Sequence, residues 1–293
     1  MEQDKIKYTF SGHESFQCKS LWLKKGYDFM CQNKDFNASD AVVDLGVGKN
    51  MVSSIRFWMK AFGLREENTI TQIANYIFDS ETGKDPFAED IATLWLLHYL
   101  LVSTNTASLY KLFFVDFHSE KNEFSKEQVQ NFVKRKCAET ANPNMYNENT
   151  INKDIDVLFK NYLAPIANKP NEDLLSLMTV LNLIRQTDRH EDNQGRKITY
   201  YNFNTIGKQK IIPEVFLYAI IDVKGSDKAV SYDVLYSLSL LFCLSSSELI
   251  DTISYIEKEY SDTLKFTDDG GIKQLLFIKE LDKQKVLDNY YKN

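Results

Sequence analysis

At 293 residues the chain exceeds the usual length of one domain, and 43% hydrophobic content allows a substantial core, so two or three compact units are expected. Only 11 glycines and 5 prolines are present, which argues against long structureless linkers and favours helix. The net charge of -6 argues against a protein that coats nucleic acid nonspecifically, because such binding depends on neutralising phosphates.

The first predicted unit covers residues 37–78. A short helix capped by Ser39 is expected to end at a tight turn, Gly46-Val47-Gly48. A longer helix follows over residues 49–62, and residues 69–71 are expected to begin a wing strand. A short helix, a glycine turn and a second helix together predict a helix-turn-helix unit.

The longer helix has two different faces on a helical wheel. One apolar sector is expected to pack inward: Met51, Val52, Ile55, Trp58, Met59 and Phe62. The opposite side is mostly polar and basic: Lys49, Asn50, Ser53, Arg56, Phe57 and Lys60. A basic outer face on the second helix is typical of DNA recognition. The candidate DNA-contacting residues are therefore Lys49, Asn50, Ser53, Arg56 and Lys60.

The distribution of charge also points to this end of the chain. Residues 1–65 carry ten Lys and Arg against seven Asp and Glu, a net charge of +3. Because the whole chain has a net charge of -6, the other 228 residues have a net charge of -9. A nucleic-acid surface is therefore expected near the N-terminus.

Residues 88–102 are predicted to form a strongly apolar helix that is buried between units. A second helix-turn-helix-like unit is expected after it, opened by a capping box at Ser125 and Gln128. Its second helix is expected from about Thr150 to Tyr162. The outer face of that helix mixes both signs of charge and is the poorer phosphate partner: Lys153, Asp154, Asp156 and Lys160.

A further strand and then another helix followed by a hairpin are expected in the last third of the chain, so two or three copies of one supersecondary plan are predicted. Residues 197–203 alternate as a strand, and Ser245 is expected to cap a helix that reaches about Tyr260. A hairpin around Gly270-Gly271 and a final helix ending near Tyr290 follow. The predicted fold class is mainly α (α+β), with tandem winged-helix or helix-turn-helix-like units and small β-hairpins around a central apolar helix.

Four parts are expected along the chain. They are a helix-turn-helix or winged-helix-like domain (1–82), a central helical connector (83–120), a second winged-helix-like domain (121–205) and a C-terminal helical and hairpin domain (206–293).

Two other motifs suggest chemistry, and a structural role is favoured for each. Gly46-x-Gly48-Lys49 lacks the spacing and the hydroxyl of a phosphate loop. His13 could form an acid/base pair with Glu14 or part of a metal site with Cys18, but no third ligand stands at a convincing spacing. Hydrogen bonding within the N-terminal segment is the favoured role of His13. His98 is expected in the core, and His118 and His190 in loops.

The remaining patterns predict a cytoplasmic protein without a cofactor or a metal. No apolar run approaches the roughly 20 residues that span a bilayer, and the first residues lack the apolar stretch of a signal peptide. The four cysteines are scattered without a CxxC pair, so neither a disulfide framework nor a zinc cluster is expected: Cys18, Cys31, Cys137 and Cys243.

Several blocks of sequence resemble a known bacterial family. Phe10-Ser11-Gly12-His13-Glu14-Ser15-Phe16, followed by Leu45-Gly46-Val47-Gly48-Lys49-Asn50-Met51-Val52, is similar to hallmark blocks of the domain of unknown function 4007 family. Three further blocks resemble it: Asp85-Pro86-Phe87-Ala88-Glu89-Asp90, Asp154-Ile155-Asp156-Val157-Leu158 and Gly270-Gly271-Ile272-Lys273-Gln274. Phe87 and Ala88 depart from the family pattern, which has Tyr and Leu there.

The resemblance implies a genomic setting beside PAPS-reductase-like proteins and other DNA sulfur-modification or phage-defence components. It supplies no catalytic residues. We therefore expect a nonenzymatic component of a phosphorothioation-type or phage-defence system that binds double-stranded DNA or engages its target. The alternative is an adaptor for a PAPS-reductase-like or ATPase partner, without DNA contact. An enzyme would need a carboxylate or cysteine cluster that the sequence does not indicate.

Overall fold

The computed structural model describes residues 7–140, 145–164, 175–191 and 197–292. Contacts group the chain into two compact units, one ending at Asn204 and the other beginning at Thr205. Helices dominate both units, and the strands form small antiparallel sheets, which confirms the α+β class. The division into four parts stays a prediction.

The first unit opens with helices and a two-stranded hairpin: α1 (Trp22–Cys31), α2 (Ala41–Leu45), α3 (Lys49–Ala61), β1 (Arg65–Glu66) and β2 (Thr69–Ile70). Further helical segments follow: α4 (Gln72–Phe78), α5 (Ile91–Ser103), α6 (Ser108–Lys111), a π-helical segment (Leu112–Phe117) and α7 (His118–Glu120). The unit ends with β3 (Glu123–Ser125), α8 (Lys126–Ala138), α9 (Glu148–Tyr162), a 3₁₀ helix (Leu177–Leu181), β4 (Ile184–Glu191) and β5 (Lys197–Phe203). These last three strands form one sheet in the order β3-β5-β4.

Local hydrogen bonds explain where the predicted helices begin. The capping box at α8 is confirmed, because the Ser125 hydroxyl accepts from the Gln128 amide and the Gln128 side chain accepts from the Ser125 amide. The Ser39 cap was wrong, since α2 follows Asp40 and has no side-chain cap. Helix α5 begins at Ile91, later than expected. Ala88 has a φ of +53°, which is not helical, and the Asp90 carboxylate caps the helix by accepting from the Ala92 amide.

Helix α5 forms the centre of the first unit, since every residue from Ala92 to Val102 is buried. His98 is hydrogen-bonded in this core, as expected, with Nδ1 2.7 Å from the Tyr162 hydroxyl. The expectation that His118 and His190 lie in loops was wrong. His118 lies in α7, buried and stacked on Phe203 at 3.8 Å between ring centroids, and His190 lies in β4.

The second unit contains α10 (Pro213–Lys224), β6 (Ala229–Ser231), α11 (Tyr232–Leu241), α12 (Ser246–Glu259), β7 (Leu264–Asp269), β8 (Ile272–Phe277) and α13 (Lys283–Tyr291). The predicted hairpin is β7–β8, and its turn places Gly270 and Gly271 at φ of +62° and +82°. In the described parts of the chain no single helix has the length and apolar character to cross a membrane; α11 and α12 pass that test only as a bent pair.

Candidate nucleic-acid interface

Helix α3 has the two faces that the sequence predicts. Its apolar side is buried at Val52, Ile55, Trp58, Met59 and, just after the helix, Phe62, whereas Met51 is half-buried. The candidate contact residues are all exposed along the other side: Lys49, Asn50, Ser53, Arg56 and Lys60. The structure therefore brings them together on one solvent-facing surface, which we call the α3 outer face.

Phe57 differs from its neighbours on that side because it is half-buried. Its ring covers Gly12, where an added Cβ would approach the ring to 2.6 Å and the φ of +103° already disfavours a side chain. The Phe57 ring also meets His13 edge-on at 5.8 Å. Phe57 thus attaches the N-terminal segment to α3 and is not a free surface residue.

The N-terminal segment lies between α3 and α9, and we call residues 9–18 the N-terminal bridge. On the α3 side, the Ser54 hydroxyl donates to the His13 carbonyl at 3.1 Å. The Trp58 indole donates to the Phe16 carbonyl at 3.2 Å, and its ring stacks on His13 at 6.0 Å. These bonds fix the position of α3 relative to the rest of the first unit.

On the α9 side the bridge is held by two buried polar residues, Asp154 and Asn161. Asp154 accepts from the Ser11 amide at 2.8 Å and lies 2.9 Å from His13 Nε2. Asn161 accepts from the Cys18 amide at 2.9 Å. The expectation that Asp154 lies on the exposed face of its helix was therefore wrong, because the bridge covers it and supplies its donors.

The hydrogen bonds of His13 define its tautomer. The Ser15 amide donates to Nδ1 at 3.2 Å, so the ring proton is on Nε2 and is donated to Asp154. Both ring nitrogens are thus engaged, and Glu14 next to it is exposed. Four positions around His13 have positive φ: Ser11, Gly12, Glu14 and Ser15. The hydrogen bonds of the N-terminal bridge stabilise this otherwise unfavourable backbone.

A groove of about 490 Å³ borders the α3 outer face. It lies where α3, the β1–β2 hairpin and the N-terminal bridge meet. Its lining residues are Gly12, Ser53, Arg56, Phe57, Lys60, Arg65, Glu67 and Asn68. Three of these side chains are cationic and one is anionic, so the groove attracts negative groups.

Arg65 is the residue of this groove that the sequence analysis missed. It is only 6% exposed, and its guanidinium lies 5.7 Å from the centre of the Phe36 ring. Burial and the nearby Arg56 lower the pKa of Arg65, while Asp35 partly opposes this. The sequence places Arg65 just after α3, but it could not indicate that the hairpin buries the side chain.

The cations of the α3 outer face are electrostatically uncompensated. Arg56 donates to the Asn37 side chain at 2.6 Å, and within the described residues neither Lys49, Arg56 nor Lys60 forms an ion pair. By contrast, Lys126 at the start of α8 pairs with Asp156 of α9 at 2.5 Å. The charges of the second predicted helix-turn-helix are thus partly neutralised, as its sequence suggests.

Two features bear on chemistry. Gly46 ends α2 with a φ of +61°, so the turn to Lys49 joins two helices, whereas a phosphate loop joins a strand to a helix. In the described ranges, no group of three or more His, Cys, Asp or Glu side chains is placed to hold a metal ion.

Comparisons with known proteins identify the fold. The model of the family described as "Protein of unknown function (DUF4007)" matches residues 10–291. No curated protein matches the chain. A magnesium ion-bound SspB crystal structure and a second SspB crystal structure match with TM-scores of 0.80 and 0.81. Each is 23% identical, and the match covers 99% of this chain and 90% of that one, a likeness that establishes a shared fold.

Proposed function

The chain belongs to the DUF4007 family, and we propose that it is a nonenzymatic DNA-binding or target-engaging component of a bacterial phosphorothioation-type or phage-defence system. The DNA-modification setting of the proposal is what membership of this family implies. The observation that carries the proposal is the α3 outer face, with Lys49, Arg56 and Lys60 exposed and without ion pairs among the described residues. Uncompensated cations on one helix face favour phosphate contact.

The order of elements supports a winged-helix mode of binding. Helices α1, α2 and α3 are followed directly by the β1–β2 hairpin. In the proposed mode α3 enters the major groove, which is wide enough for one helix, and the hairpin acts as a wing against the backbone. Lys49, Arg56 and Lys60 contact phosphates, while Asn50 and Ser53 face the base edges.

The alternative is an adaptor that binds a PAPS-reductase-like or ATPase partner. The observation that favours it is α2, whose Val43 is 80% exposed and whose Val42 is 36% exposed. Apolar side chains at the surface beside a basic helix suit a protein partner better than a phosphate backbone. Val43→Ser tests this alternative, since it should weaken capture of such a partner and, because it adds no charge, leave DNA affinity unchanged.

The deciding experiment measures the affinity for duplex DNA at several salt concentrations. Removing two phosphate contacts in Arg56→Ala/Lys60→Ala should weaken binding and make the log–log salt slope shallower by about 1.8. Thermal stability should change little, because both side chains are exposed.

The matched control is Lys153→Ala/Lys160→Ala, which removes two exposed cations from α9. It should leave the salt slope unchanged, because the loss of net charge is the same but lies outside the proposed interface. Equal slopes for wild type and Arg56→Ala/Lys60→Ala would remove α3 from DNA recognition and leave the adaptor as the better proposal.

A further inference from the structure

The groove beside α3 contains a buried cation with an unsatisfied donor. Arg65 Nε is buried and has no hydrogen-bond partner among the described residues. One terminal nitrogen, Nη2, donates to the backbone carbonyl of Glu67. Over the same parts of the chain, no carboxylate forms an ion pair with Arg65. Buried polar atoms are nearly always hydrogen-bonded, so an orphan donor on a buried guanidinium requires an explanation.

The surroundings of Arg65 add positive charge, which the nearby Asp35 offsets only in part. Burial lowers the pKa of Arg65 most, and Arg56 lowers it further because the two guanidiniums repel each other. Lys60 and Ser53 line the same groove. Glu67 is the single acidic residue of the lining, and its backbone carbonyl holds Arg65 in place. The lining thus has three cations against one carboxylate.

We propose that this groove is a binding site for one phosphate-type oxyanion, held by Arg65 together with Arg56, Lys60 and Ser53. The guanidinium fork supplies paired donors to a tetrahedral oxyanion, and Lys60 and Ser53 supply an ammonium and a hydroxyl. A bound anion also removes the repulsion between the two arginines. That the anion belongs to a DNA strand rests on the proposed function; an inorganic phosphate has the same chemistry.

If the oxyanion is a backbone phosphate, the site determines how DNA is held. The groove lies between α3 and the β1–β2 hairpin, so a phosphate bound there is held between the helix and the wing. Phosphate contacts fix the orientation of a protein on the duplex without reading sequence. Arg65 then fixes the register in which Asn50 meets the bases.

The first arm of the test uses inorganic phosphate alone. The melting temperature of the full-length protein is measured in sodium phosphate and in sodium chloride at matched pH and ionic strength. Phosphate should raise it relative to chloride, because a ligand that binds only the folded state stabilises it. Phosphate also stabilises folded proteins by exclusion from their surface, so Arg65→Met should show a smaller difference than wild type and keep only this general effect.

Because Arg65 is buried, Arg65→Met could unfold the hairpin, and a second variant avoids this risk. Arg56→Gln/Lys60→Gln changes only exposed side chains of the groove, and it should raise the dissociation constant for phosphate by at least about tenfold, as expected for a lost charge-assisted hydrogen bond. Lys153→Gln/Lys160→Gln on α9 is the control and should keep the wild-type value. Equal phosphate affinity in both double variants overturns the proposal.

The second arm uses a DNA duplex and separates the two sources of the oxyanion. At matched ionic strength, phosphate should weaken duplex binding more than chloride does, if a strand phosphate occupies the groove. Phosphate binding in a protein without duplex affinity would support the site and contradict the DNA function. Duplex binding with no phosphate effect in either arm would overturn the site and leave the DNA function standing.

Discussion

His13 and Glu14 are neighbours in the sequence with opposite environments. His13 is 5% exposed and uses both ring nitrogens, whereas Glu14 is exposed. The imidazole has no free lone pair to accept a proton from a substrate, because Nδ1 already accepts from the Ser15 amide. This geometry supports the structural role that the sequence analysis favours for His13.

Replacing His13 with Ala should lower the free energy of unfolding by about 1–3 kcal/mol, because it leaves the buried Asp154 carboxylate without one of its donors. Urea denaturation provides the measurement, and Glu14→Ala, which changes an exposed side chain, should match wild type. A His13→Ala protein with wild-type stability and no activity in a DNA assay would instead argue for a chemical role.

Asp116 gives a prediction about pH. It is half-buried in the π-helical segment, and burial raises the pKa of its carboxyl group, an effect that Lys136 and Lys111 partly offset. A raised pKa means that the folded state holds the proton more tightly than the unfolded chain. The stability from this proton is complete below the ordinary pKa of Asp and is lost as the pH rises through the raised value.

Asp116→Asn should therefore be more stable than wild type at neutral pH and equal to it at about pH 3, below the ordinary carboxyl pKa. The gain should stay under about 1 kcal/mol because solvent screens a half-exposed group. Melting temperatures of both proteins across this range test it. A difference that persists unchanged in acid would mean that titration of this carboxyl is not the cause.

The burial of Arg65 and Asp154 could not be predicted from the sequence. Charged residues are almost always exposed, so the sequence pattern places Asp154 at the surface and gives no reason to single out Arg65. Asp154 is buried by a segment whose Ser11 lies 143 positions earlier in the chain, and Arg65 by a hairpin that closes over it. Local patterns contain no information on such long-range partners.

Among the elements, α3 was the most predictable, because its apolar residues recur at helical spacing and burial follows that spacing. The bounds of α2 and α5 were less predictable. Several residues near α2 can serve as a cap, and the positive φ of Ala88 depends on packing around it. The periodicity of a helix is a property of its own residues, whereas its first turn depends on competing local hydrogen bonds.

The packing of α3 yields a test of its orientation. Trp58 is fully buried, stacks on His13 and donates to the Phe16 carbonyl. Trp58→Ala should cost about 3–5 kcal/mol of unfolding free energy, since it leaves a large cavity and an unpaired carbonyl. Lys60→Ala, on the exposed side of the same helix, should cost little, and chemical denaturation compares the two. A Trp58→Ala protein as stable as wild type would mean that α3 faces the other way.

For the whole molecule, the sequence predicted the α+β class, the family and the positive N-terminal region. It could not predict which cations are neutralised. Within that region Lys24 pairs with Asp28 at 2.5 Å and Lys34 with Asp44 at 3.0 Å. Among the described residues Arg56, Lys60 and Arg65 form no ion pair, and all three lie at the groove beside α3. Net charge describes composition, but an electrostatic site requires the fold.

The N-terminal bridge also constrains the order in which the chain folds during synthesis. Its partners on α3 follow closely in the chain, since Ser54 is 41 residues after His13, but Asp154 is 141 residues after it. At about 5–20 residues per second, the ribosome delivers α9 roughly 7–30 seconds after the bridge. The bridge can therefore dock on α3 early, whereas its closure onto Asp154 waits for translation. Residues 9–18 thus emerge well before the chain contains all of the partners that complete their native contacts.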